Sequence, residues 1–151
     1  MAGAFVFSGA NEVTAALKAM AVRANVATPI ALKAAAGTVE KRAKENLQRK
    51  SHRRGTPTPS APGEPPAMID GTLRDSFHTT MPHTIGAGMW MCTLYPDTVY
   101  AAIQEFGGLT GRGHRSRLPA RPYLKPAVDA AIASGEFAAA FEKAWMRAVA
   151  P

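Results

Sequence analysis

The chain has 151 residues, a formal net charge of +7 and 46% hydrophobic residues, many of them alanine. Such a length sets the expectation of one domain with a single core, in which roughly two thirds of the unfolded surface is buried. Cys92 is the only cysteine, which excludes an intrachain disulfide, and no apolar run approaches the roughly 18 residues that a membrane span needs.

The first eight residues, Met-Ala-Gly-Ala-Phe-Val-Phe-Ser, lack a charged n-region and are too short in apolar content for a signal peptide. The expectation is a soluble protein made in a reducing compartment. Ala4 to Ser8 reads as an edge strand or a docking tail, so residues 1–10 form an N-terminal tail. From Asn11, a candidate N-cap, Val13, Leu17, Met20 and Ala24 fall on one helical face. Thr28-Pro29 then predicts a kink and a second helix start, with threonine as N-cap and proline in the first turn. That second helix presents Leu32, Ala36, Val39, Ala43 and Leu47 inward. Gly37 inside it costs about 1 kcal/mol relative to alanine, and close packing against another backbone would explain it. Residues 11–49 are thus helical.

Charge concentrates where this segment ends. Residues 41–54 hold Lys41, Arg42, Lys44, Arg49, Lys50, Arg53 and Arg54 against Glu45 alone. A Pro-rich segment, 50–72, follows, with prolines at 57, 59, 62, 65 and 66. Each proline fixes φ and removes a donor, which suits a semi-rigid arm; at about 3.1 Å per residue it would reach on the order of 70 Å. A disordered linker is the alternative reading.

Beyond it, Leu73 to Thr80 alternates like a half-buried strand, and Met89 to Tyr95 is the strongest strand pattern in the chain. Val99, Ile103 and Phe106 are spaced for one face of a short helix that Gly107-Gly108 ends, completing a strand-bearing region over 73–106. Residues 107–122 form a basic loop; from 107 to 127 there are Arg112, Arg115, Arg117, Arg121 and Lys125 and no acid. The rest, 123–151, predicts one or two helices around Ser134-Gly135. In the last, Phe137, Phe141 and Trp145 recur every four residues as a core stripe.

Catalytic patterns are missing from the sequence. His52, His78, His83 and His114 have no metal-ligand spacing, no Gly-rich phosphate loop precedes a helix, and Asp70 and Asp75 have no evident acid/base partner. A non-enzyme without cofactor or metal is expected. Two basic patches point to an anionic partner such as nucleic acid or an acidic protein face, or simply to solvated loops.

Three fragments together resemble one known family. Ser60-Ala61-Pro62-Gly63-Glu64-Pro65-Pro66-Ala67 with Asp70-Gly71-Thr72-Leu73-Arg74-Asp75-Ser76 is similar to a proline-rich stretch followed by T-G-x-L-R-x-S. Tyr100 to Gly108 is similar to Y-A-x-x-x-E-F-G-T/G, and Leu118 to Ala127 to P-A-R-P-F-L-x-P-A. In this order they resemble the tail-component family of tailed bacteriophages, the group named after gene product 10 of phage HK97. The likeness spans about residues 10 to 133. Asp70-Gly71 stands in place of the usual T-G or S-G, and residues 109 to 118 are longer and more basic than the pattern.

The resemblance implies an α+β fold, with long helices and a C-terminal helix packed on a small antiparallel sheet. It also implies a non-enzymatic virion protein of the neck or top of the tail, made in the host cytoplasm: a tail-completion or head-to-tail joining component. Its partners would be itself, in a ring of about six copies, and neighbouring neck and tail proteins, with no membrane. Tail terminator and minor tail protein are alternatives, and a free basic nucleic-acid-binding protein is a reading of another class. In such a ring, Arg49, Lys50, Arg53, Arg54, Arg112, Arg115 and Arg117 would meet channel DNA by phosphate contact, without reading sequence. Pro62, Pro65, Pro66, Leu73, Arg74, Glu105, Phe106, Arg121 and Tyr123 would form the subunit interface. Within that set Glu105 is expected to pair with Arg74 or Arg121, inside or across subunits; alternatively Glu105 is solvated beside a buried Phe106.

Overall fold

A computed structural model of the chain describes residues 9–57 and 60–150. The expected edge strand or tail at residues 4–8 lies outside the described residues.

Helix α1, Ala10–Gln48, runs through Pro29 as one assigned helix of 39 residues, roughly 58 Å at about 1.5 Å per residue. The helix start expected at Thr28-Pro29 is therefore not there. Thr28 does not cap; its hydroxyl donates to the carbonyl of Ala24 one turn back, at 2.7 Å. A proline in a helix interior costs about 3 kcal/mol. Packing on both sides of it offsets that cost, since Ala27, Ala31 and Ala35 are all fully buried. The inward row is Ala27, Ala31, Ala35, Val39, Ala43 and Leu47, so Leu32 and Ala36 sit to one side of the predicted face. Gly37 is exposed and a Cβ there would meet nothing within 4 Å, so close backbone packing does not explain it.

The Pro-rich segment is not an extended arm. It leaves α1 and returns: Met68 N–H donates to Lys50 O at 2.8 Å and His52 N–H to Met68 O at 2.9 Å. Lys50 Nζ also reaches Glu64 at 2.6 Å, and Ser60 is buried. The prolines stiffen a closed loop, because its ends and middle find backbone partners on the body of the chain.

Leu73 lies in a short helix, α2, Thr72–Asp75, where a strand was expected. Asp70 overrides the alternating pattern: its carboxylate accepts both the N–H and the hydroxyl of Thr72, at 3.1 and 2.7 Å, and turns the chain into that helix. Strand β1, Phe77–Thr79, comes next, then β2, His83–Gly86, β3, Met89–Met91, and β4, Leu94–Pro96. The predicted strand Met89 to Tyr95 is thus two strands with different partners. β1 pairs antiparallel with β4 (Phe77 opposite Pro96) and β2 with β3 (His83 opposite Met91). Thr80 N–H to Thr93 O, 2.9 Å, joins the two ribbons where Pro82 lacks a donor.

Helix α3 is Ala101–Phe106. The basic loop is a hairpin of β5, Gly108–Thr110, and β6, Ser116–Leu118, with a 3₁₀ turn at Arg112–His114 between them. The described strands thus form three antiparallel pairs. Two helices complete the chain: α4, Leu124–Ala133, and α5, Glu136–Val149, broken at Ser134-Gly135 as the sequence predicts. α5 starts beside Arg42, whose Nε donates to Glu136 at 2.8 Å, and returns along α1 toward Ala27. The alanine row lets the two helices approach closely, with Phe137, Phe141 and Trp145 half-buried. The fold is α+β: long helices with small antiparallel ribbons. One core cluster joins α1 (Val39, Ala43, Leu47), Leu73, Phe77, Ala101, Tyr123 at the entry of α4, and Ala127 and Ala131 along it.

Candidate functional site

The segments singled out by the sequence meet at one place. Tyr123 is 1% exposed, the largest fully buried side chain among the described residues; its ring stands edge-on to Phe77 at 6.2 Å and its hydroxyl donates to Ala101 O at 3.3 Å. Burial, and then the nearby Glu105 charge, push its phenol pKa well above the usual value. Asn46, a polar residue on the inward face of α1, donates to Tyr123 O at 2.9 Å and so ties α1 to the entry of α4.

Glu105 is 7% exposed. One carboxylate oxygen accepts the N–H groups of Tyr123 and Leu124, at 2.8 and 2.9 Å, and the other accepts that of Lys125 at 2.8 Å. The next residue, Pro126, has no N–H. Every donor that the start of a helix leaves without an internal partner is thereby either satisfied or absent, and the carboxylate sits at the positive end of the α4 dipole. The expected pairing of Glu105 with Arg74 or Arg121 is not made within the chain. Arg74 is forked onto Asp75, with both contacts at 2.7 Å, and holds that carboxyl below its usual range. Arg121 donates to Ser60 O at 3.1 Å. The alternative, Glu105 solvated beside a buried Phe106, is the reverse of what is found, since Phe106 is 79% exposed. The inward face of α3 is Ala101 and Glu105, and Val99 lies in solvent.

Gly107 closes this knot. With φ at 69° it is left-handed, and a Cβ would stand 2.6 Å from Ala120 N and 2.9 Å from Leu118 O. Arg121 N–H donates to Gln104 O at 2.7 Å and Gly63 N–H to Ala120 O at 2.9 Å. The Pro-rich loop, α3 and the segment 118–125 are thus bound to one another by backbone contacts. Between them lies a cleft of about 480 Å³, whose lining includes Leu47, Ser60, Met68, Asp70, Arg74, Tyr100, Gln104 and Arg121. Gln104 Oε1 and Arg121 Nε, both on its wall, are buried without a hydrogen-bond partner.

The structure takes Leu73, Glu105 and Tyr123 into the chain's own core, away from the surface where a neighbour would touch them. Pro62 and Phe106 are exposed, and Pro65, Pro66, Arg74 and Arg121 half-exposed. Among the basic residues, Lys50 is engaged by Glu64 at 2.6 Å and Arg54 by Asp70 at 3.6 Å. Arg49, Arg53, Arg112, Arg115 and Arg117 are exposed and make no ion pair among the described residues. The three hairpin arginines project from β5–β6, whose root is held beside the Pro-rich loop through Ala120 and Arg121. This arrangement can attract phosphate or carboxylate groups electrostatically; it does not set a nucleophile against a base.

Asn46, Ser60 and Gln104 are residues whose part in this site sequence reasoning passed over, and Gly107 it read only as the end of a helix. Of the three, Asn46 carried a signal, as a polar side chain one place before Leu47 on an apolar face. No group of three or more His, Cys, Asp or Glu residues that could hold a metal ion occurs among the described residues, and no described helix is long and apolar enough to cross a membrane.

Comparison with protein-family models, with curated proteins and with solved structures finds no match to the chain.

Proposed function

We propose that the chain is a structural, non-enzymatic virion protein of a tailed bacteriophage, a tail-completion or head-to-tail joining component that forms a ring of about six copies around the DNA channel. One observation carries this reading. Of the three fragments that resemble the tail-component family, distant in sequence, the second and third interlock around Glu105 and Gly107, and the first joins the third through Gly63 N–H to Ala120 O and Arg121 to Ser60 O. Their meeting in one unit of structure supports reading the three short strings as one pattern. The hairpin arginines support the channel role, because uncompensated cations at the tip of a protruding ribbon suit loose phosphate contact without base reading. Tail terminator and minor tail protein remain neighbouring roles for the same architecture.

Mass spectrometry of purified virions from the source genome tests the proposal. The chain should be present at a ring-like copy number, and gold labelling should place it where head meets tail. Its absence from infectious particles would overturn the reading. The five unpaired arginines also favour a second reading, a free nucleic-acid-binding protein. That reading requires DNA affinity in solution that falls with salt, with a log-log slope near about −0.9 per phosphate contact.

A further inference from the structure

Helix α1 projects beyond the rest of the described chain. α5 starts beside Arg42 and packs along α1; its 14 residues span about 21 Å, enough to reach the level of Ala27, the first fully buried alanine of the small-residue face. The same face continues toward the N-terminus as Ala24, Met20, Leu17 and Val13, in the alternating three- and four-residue spacing that keeps one stripe turned toward a partner. No described residue covers it: Val13 and Leu17 are 60% exposed and Met20 is 64% exposed. Side-chain size changes where α5 stops. Alanines admit α5 at short range, whereas valine, leucine and methionine are sizes that fill space against a partner. From Ala10 to Val26 the projection is about 25 Å long, and a lone helix of that length is marginal in water.

A second bare apolar face lies on the outer side of the β2–β3 ribbon. Ile85, Met89 and Met91 are exposed there, while Trp90 between them turns inward and is half-buried. This ribbon cannot cover the stripe of its own chain. Lys33 Nζ meets Met81 Sδ at 3.9 Å, which roots the ribbon near Lys33. Leu17 is about 24 Å from that level along the helix axis, and strands this short reach only about 13 Å.

We infer that the projecting part of α1 docks through Val13, Leu17 and Met20 onto the face formed by Ile85, Met89 and Met91 of a second copy of this chain. One contact then removes both apolar surfaces from water. The surfaces are different, so a contact that is not returned within the same pair is head-to-tail, the kind that closes into rings, and methionine side chains adapt readily to the ridges of a helix. The inference deepens the ring reading and rests on it for closure; the contact itself concerns two copies of the chain.

The test uses full-length protein with Cys92→Ser carrying either Leu17→Cys or Met89→Cys, so that each chain has one thiol. Mixed and treated with a short bis-maleimide, the two variants should give a dimer containing one of each, and neither alone should cross-link. Cross-linking of Leu17→Cys with itself would mean that two helices face each other, and would overturn the inference. So would no cross-link in the mixture, or a monomer by sedimentation at every concentration up to millimolar. Leu17→Glu with Met20→Glu should weaken self-association at least about tenfold with unchanged circular dichroism, since neither position belongs to the chain's own core. Virions that hold the chain in a neck ring without this cross-link would discard the contact and keep the functional reading.

Discussion

The carboxylate of Glu105 accepts the backbone N–H of Tyr123 at 2.8 Å and closes the N-terminus of α4 from 18 residues away. Helix caps are ordinarily supplied by the residue just before the helix. Here the cap comes from another helix, so forming α4 and docking α3 are one event. Glu105→Ala should cost about 2–4 kcal/mol in urea denaturation, since it leaves three amide donors without their acceptor. Its neighbour Phe106, exposed to solvent, should tolerate alanine within about 0.5 kcal/mol. Equal losses at the two positions would contradict this account of α3.

Two glycines give opposite expectations for the same substitution. Gly37→Ala should raise stability by about 1 kcal/mol, because the site is helical, exposed and open. Gly107→Ala should lower it by at least about 2 kcal/mol, from left-handed strain and a clash with the backbone of Ala120. Thermal melts of the two variants read both signs.

Acid should loosen the Pro-rich loop and the α1–α5 contact together. Hydrogen bonds from Lys50 lower the Glu64 pKa, Thr72 does the same for Asp70, Arg74 for Asp75 and Arg42 for Glu136. A carboxyl whose folded pKa lies below its unfolded value adds stability at pH above the unfolded value, about 4, and loses it as pH falls through the folded one. Stability should therefore be flat from neutral pH to about 5 and decline below about 4. The pairs are exposed, so salt should shrink the decline. A constant unfolding midpoint between neutral and acid pH would contradict the ion-pair assignments.

Any affinity of the purified protein for duplex DNA should come mainly from the β5–β6 hairpin. Arg115→Ala and Arg117→Ala should each flatten the log-log salt slope by about 1, while Lys50→Ala, already engaged by Glu64, should change it little. Fluorescence anisotropy over a salt series measures this directly.

Much of the fold is legible because its signals are local. The break at Ser134-Gly135, the helical run over 11–48 and the end of α3 at Gly107 follow from periodicity and glycine, although Gly9 and not the expected Asn11 stands at the N-cap of α1. Several misreadings share one cause, partners remote in sequence; the helix at Thr72–Asp75, turned by Asp70 two residues before Thr72, is a local exception. Thr28-Pro29 reads as a helix start until the burial of Ala27, Ala31 and Ala35 is known. Five prolines read as an arm until Met68 is found bonded to Lys50. Glu105 reads as one half of an ion pair because nothing nearby reveals that three amides, 18 to 20 residues on, converge on it. The hairpin arginines were legible as a charge run; that they stand unpaired while Lys50 and Arg54 are engaged depends on where Glu64 and Asp70 fold back.

Electron microscopy of particles made with this gene disrupted in its source genome tests the central claim most directly. The account predicts filled heads accompanied by separate, otherwise normal tails. Intact, infectious particles would contradict it.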